Sequence, residues 1–205
     1  MTTVTPISEQ LNIDKEFQRL KSSLNLPTPA FAASSRPNAP QVYRMAATLE
    51  NLRCVLEDGS RSHHVVHISC HCMTTNDEAN GSNNNHSVLL FEDADGGAHN
   101  ISTTTLNKVF CEHARPKSVK LVVLMACNSH RIAHSLSTDS GNKVCNAIGT
   151  KGKVSDAVAA YFSQNLYLAL SSQSHSLSKA FDMAQEAIRL SPLFHASEAD
   201  RFVLY

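Results

Sequence analysis

The chain lacks an excess of either charge. Lys and Arg number 18 and Asp and Glu number 18 over 205 residues. Binding nucleic acid needs a concentrated surplus of Lys and Arg to displace the counterions of phosphate. A nucleic-acid partner is therefore not expected. The chain also lacks any apolar run approaching the roughly 20 residues that cross a bilayer. Its opening, MTTVTPISEQLNIDKEF, has no basic start and no apolar stretch, so it does not read as a secretory signal. The expectation is a cytoplasmic protein with no membrane partner. No internal repeat is visible, and no C-x-x-C pair offers the common zinc spacing.

What is present starts with length. A chain of 205 residues buries a real core without covalent staples, and one domain accounts for most of it. Six cysteines stand at 54, 70, 72, 111, 127 and 145. In a cytosolic chain they are expected as reduced thiols, mostly buried as small hydrophobes. Histidine is more telling. Of 11 in the chain, four fall between residues 63 and 71.

Residues 1–26 carry one weak helical pattern, Ile7, Leu11, Phe17, Leu20 and Leu24. Residues 27–40, PTPAFAASSRPNAP, hold four prolines among small residues and read as a linker or extended arm. The division expected is an arm over 1–40 and a compact domain over 41–205. Within the domain, Met45, Leu49, Leu52 and Leu56 predict a helix over 42–57. HVVHIS at 64–69 predicts a strand, and residues 73–86 a polar loop. Ser87–Phe91 reads as a strand, Asp95-Gly96-Gly97 as a turn, and the chain returns to Ile101. A helix follows over Thr103–Cys111. VKLVVLM at 119–125 is almost wholly apolar, as befits a strand covered on both faces. A short helix around His130–Leu136, a strand around Val144–Ile148, helices through Val158–Leu170 and Leu177–Ile188, and a last strand FVLY complete the pattern. Such alternation predicts an α/β sandwich with a mainly parallel central sheet.

In open α/β sheets, sites form beyond the carboxyl ends of the strands. Cys70, His71 and Cys72 follow HVVHIS, and Ala126, Cys127, Asn128 and Ser129 follow VKLVVLM. If those strands are neighbours, an imidazole and a thiol face one crevice. A Cys–His pair suffices as nucleophile and base for acyl transfer. Cys127 also precedes a helix, whose N-terminus favours a thiolate, with Asn128 or Ser129 available as its cap. Taken singly, Cys127 reads as a buried core thiol and His71 as an ordinary histidine. Their joint placement at two strand ends carries the catalytic reading. A metal site at Cys70-His71-Cys72 with His63, His64 and His67 has suitable ligand types, but its spacing is poor. No metal and no cofactor is expected.

The blocks VVHISCHC at 65–72 and LVVLMACNS at 121–129 resemble those of the CHAT proteases, relatives of caspases and separase in the caspase-like clan. SVLLFED at 87–93, IGTKGKVSDAVAAYFSQNLYLAL at 148–170, SLSKAFDMA at 176–184 and DRFVLY at 200–205 resemble the later elements of that family. The resemblance covers roughly residues 41–205. It implies a caspase-like three-layer sandwich and a cysteine endopeptidase acting on a protein substrate, with room for a regulatory protein partner. It passes the role of general base to His71 and of nucleophile to Cys127, with oxyanion donors in the backbone near Cys72 and Cys127. It also makes Asp156 a substrate-binding residue that would receive a basic side chain before the scissile bond. The alternative role for Asp156 is a helix cap, or a neighbour of a Ser155 cap. One departure stands out. The family has Gly directly after the histidine, and this chain has Cys72. A catalytically degenerate scaffold or signalling module is therefore the rival reading. A calcium-activated, metacaspase-like protease is disfavoured, because no acidic loop of the kind Ca²⁺ prefers is present.

Overall fold

Two short apolar segments, VVHIS and LVVLM, set the layering of the molecule. The computed structural model describes residues 18, 19, 22, 44–58, 64–76, 85–115, 118–139, 141, 144–172 and 175–205. The arm expected over 1–40 lies almost wholly outside the described residues. In chain order the elements are α1 (Leu49–Glu57), β1 (Val65–Ser69), β2 (His71–Asn76), β3 (Asn85–Glu92), β4 (Ala98–Ser102) and α2 (Thr103–His113). They continue with β5 (Leu121–Met125), α3 (His130–Asp139), β6 (Ala147–Thr150), α4 (Asp156–Ser171), α5 (Leu177–Leu190), a 3-10 turn (Ala196–Arg201) and β7 (Phe202–Leu204).

The main sheet runs β1-β5-β6-β7. Its first three strands are parallel, and β7 closes it antiparallel to β6. Every residue of β5 is buried, as a strand covered on both faces requires. Alternation splits the strands between two cores. Val66, Ile68, Val122 and Leu124 pack with buried residues of α1, α2 and α3. Leu121, Val123, Met125 and Ile148 pack with those of α4 and α5. Helices thus cover both faces of a mainly parallel sheet, which is the caspase-like α/β arrangement. A second sheet, β2-β3-β4, is antiparallel throughout. Its Leu89, Phe91 and Ile101 join the first core.

Local chemistry fixes the ends. Ser102, Ser155 and Ser176 cap α2, α4 and α5 by accepting from the N–H three residues on. The Asp93 carboxylate accepts from Asp95 N (3.0 Å) and Gly97 N (2.6 Å) and closes the β3–β4 turn. Phe202 stacks on Phe162 with centroids 3.9 Å apart and rings 3° from parallel. Gln185 donates to Ala199 O (2.9 Å) and Phe202 O (3.2 Å), holding the 3-10 turn and β7 against α5.

Three expected boundaries are corrected. The helix expected from residue 42 starts at Leu49, because the Thr48 hydroxyl accepts from Asn51 N (3.0 Å) and caps it there. Met45 lies before that cap and is 52% exposed. The polar loop expected over 73–86 is strand at both ends. β2 runs on to Asn76 and β3 begins at Asn85, leaving 77–84 outside the described residues. The strand expected over 144–148 sits later, at Ala147–Thr150, while Val144 makes an isolated parallel bridge to Val119.

Candidate active site

Strands β1 and β5 are adjacent and parallel, with Val65 opposite Leu121 and Ser69 opposite Met125. The two chains stay together one step beyond the ladder, where Cys70 N donates to Met125 O at 3.4 Å. His71 and Cys127 follow the carboxyl ends of these two adjacent strands. The faces agree as well. His67 and Ser69 alternate with the core-facing Val66 and Ile68, and the His67 ring nitrogen Nδ1 meets the Tyr167 hydroxyl of α4 at 3.0 Å. Val123 and Met125 lie on that same α4 side. His71 and Cys127 both lie beyond the carboxyl edge of the sheet, where open α/β sheets place their sites. There His71 leaves the main sheet to open β2 with its side chain exposed, while Cys127 is half-buried.

The turn after β5 is braced from within. Asn128 has φ 57, a left-handed conformation that Asn tolerates better than most side chains. Its N–H donates to Gly152 O at 2.9 Å, and its carbonyl accepts from the Ser87 hydroxyl of β3 at 3.3 Å. Thr150 Oγ1 donates to Ala126 O (2.6 Å). Ser129 Oγ donates to Leu124 O (3.1 Å) and accepts from Thr150 N (3.0 Å). The Ser129 hydroxyl therefore turns back into the sheet instead of capping α3. Both hydroxyls are fully buried, where an unpaired polar group is costly, so these bonds hold the turn in one shape. Gly149 lets α3 approach β6. A Cβ there would stand 2.8 Å from Ala133 Cβ, 2.9 Å from His130 Cα and 2.9 Å from Ser129 O.

Beyond β6, the loop 151–155 forms the neighbouring wall. Lys151 N donates to Arg201 O at 2.7 Å, and the Arg201 guanidinium donates to Lys153 O. Cys127 Sγ is 3.8 Å from Val154 O, as a weak thiol donor. Two residues later Asp156 opens α4, exposed, with Ser155 and not Asp156 as the cap. The Asp156 carboxylate makes no hydrogen bond or ion pair among the described residues. The Cys127 N–H likewise meets no backbone acceptor among the described residues.

Burial sorts the thiols. Cys70 is buried in the first core and its thiol is pushed up to about 12, chiefly by desolvation. Cys72 is raised to about 11, first by burial. The neighbouring Ser87 hydroxyl works against that rise, and a charge on Cys127 adds to it. The Cys72 Sγ lies 3.8 Å from Met73 O. His130, at the start of α3, is lowered by burial first, and by the positive charges of Arg131 and Lys151. Its Nδ1 is buried without a hydrogen-bond partner among the described residues.

Sequence reasoning singled out His71, Cys72, Cys127 and Asp156 and missed Ser87, Gly149 and Thr150. Each missed residue acts through a contact distant in sequence, which no local pattern announces. Among the described residues no group of His, Cys, Asp or Glu is arranged to hold a metal ion. No helix among them is long and apolar enough to cross a membrane. No curated protein matches the chain. A family model does match, over residues 28–199, and it is that of the CHAT domain. With most of its length matched and a caspase-like fold, this chain belongs to the CHAT-domain family.

Proposed function

We propose that this CHAT domain is a cysteine endopeptidase working through Cys127 and His71. The observation that supports the reading is the parallel pairing of β1 with β5, neighbouring strands whose carboxyl ends are followed by His71 and by Cys127. The imidazole takes the Cys127 proton, and the thiolate attacks a peptide carbonyl. The oxyanion forms beside the backbone of Cys72 and Cys127, and the Cys127 N–H is a donor without a competing backbone acceptor among the described residues. His71 then returns the proton to the leaving amine, and water hydrolyses the thioester. Ser129 and Thr150 keep the nucleophile turn rigid through these steps.

The free, exposed carboxylate of Asp156 supports a basic residue before the scissile bond, since Ser155 relieves it of capping. Arg fits best, because its planar fork bonds both oxygens. The substrate is a protein, met without nucleic acid or membrane.

One observation favours a catalytically degenerate scaffold instead. The half-buried Cys72 side chain occupies the position after His71, where the family pattern has Gly. The readings part on cleavage of a peptide library ending in Arg or Lys. The peptidase reading predicts cleavage that Cys127→Ala abolishes without unfolding the chain. Cys72→Gly then raises the turnover number, by at most the roughly 10²–10³ that one oxyanion donor is worth. A purified chain that cleaves nothing, before or after Cys72→Gly, is a scaffold.

A further inference from the structure

Cys72 is the nucleophilic group beside the site that catalysis leaves unused. It is the second residue of β2 and pairs with Leu89 of β3. Ser87, paired with Thr74, lies diagonally next to it on the same face of the small sheet. The Ser87 hydroxyl reaches Asn128 O at 3.3 Å, so this face is applied directly to the residue after Cys127. Cys72 and Cys127 follow the carboxyl ends of the adjacent strands β1 and β5. Both sulfurs are half-buried, unlike Cys70, which is sealed in the core. The electrostatics agree, because a charge on Cys127 is felt at the Cys72 thiol.

We propose that Cys72 and Cys127 form a reversible disulfide when the chain meets a hydroperoxide. The bond masks the nucleophile and keeps it from irreversible oxidation. The masking rests on the peptidase reading, whereas the bond itself does not. In the first step the Cys127 thiolate attacks one oxygen of hydrogen peroxide. The O–O bond breaks, and the departing hydroxide takes a proton and leaves as water. Cys127 is then a sulfenic acid. In the second step the Cys72 sulfur attacks the Cys127 sulfur and the S–O bond breaks. The leaving hydroxide carries off the Cys72 proton as a second water. Two thiols are oxidised and one peroxide is reduced. Burial holds Cys72 as a thiol at neutral pH, so the second step quickens as pH rises toward about 11.

The test is peptide mapping of the full chain without reduction, after a small molar excess of hydrogen peroxide, enough to carry an unprotected thiol through two oxidations, and alkylation of the remaining thiols. The expected result is one linked peptide joining Cys72 to Cys127, with both thiols restored by dithiothreitol. In Cys72→Ala and Cys72→Ser, circular dichroism confirming the fold of each, Cys127 passes instead to sulfinic acid that dithiothreitol does not reverse. A parent chain whose Cys127 reaches sulfinic acid while Cys72 stays reduced overturns the proposal. So does a disulfide joining any other pair. The readout needs no cleavage. A chain that forms this bond but cleaves nothing loses the peptidase reading and keeps the disulfide.

Discussion

Gly149 and His130 show how single residues near the nucleophile turn are constrained by what surrounds them. A Cβ at 149 meets mostly backbone within 2.9 Å, which has no flexible end to swing aside. Gly149→Ala should therefore destabilise the chain by about 1–3 kcal/mol, the usual cost of overpacking, measured as a lower urea midpoint. An unchanged midpoint would mean that α3 is free to shift. His130 bears on pH. Its folded pKa is depressed by burial below the ordinary value of 6.5. Between the two values the unfolded chain binds a proton that the folded chain refuses. The stability it contributes is thus whole above about pH 6.5 and is lost as pH falls below that. His130→Gln should flatten the decline in stability below pH 6.5, followed by urea unfolding at several pH values. A parallel decline in both proteins would remove His130 as the cause.

At the scale of elements, the start of α4 separates two roles that the sequence left joined in Asp156. The structure gives the cap to Ser155, which accepts from Val158 N at 3.4 Å. Ser155→Ala should cost about 0.5–2 kcal/mol of stability and leave the cleavage preference alone. Asp156→Ala should remove the preference for Arg or Lys at small cost in stability. A peptide scan together with a thermal melt reads both, and an Asp156→Ala enzyme that keeps its basic preference ends the pocket assignment. The elements also differ in how visible they were. The helices α2, α4 and α5 declare themselves through apolar residues three or four apart, because each buries one stripe. β5 declares itself because both its faces are covered. β2, HCMTTN, stayed hidden because its polar residues resemble a loop. Its ladder with β3 is long-range, and composition does not record backbone pairing. The early start assigned to α1 has the opposite cause. Met45 happens to fall in phase with Leu49, and a cap at Thr48 overrides the phase.

Across the whole molecule, the site was legible to the extent that it depends on strand order along one edge. Two apolar strands ending in His71 and Cys127 were readable. The adjacency and register of those strands, on which the proposed dyad depends, are tertiary facts. So are the second sheet's approach through Ser87 and the wall built by Arg201 on the 151–153 loop. The central claim is that this assembled edge makes Cys127 a nucleophile served by His71. Its most direct test is site-resolved mass spectrometry of labelling by a thiol-directed peptide electrophile, run on the parent chain and on His71→Ala. The account predicts that Cys127 labels far faster than the other five cysteines, and that His71→Ala removes this advantage while the fold persists. Comparable labelling of several cysteines, or a Cys127 rate indifferent to His71, would contradict it.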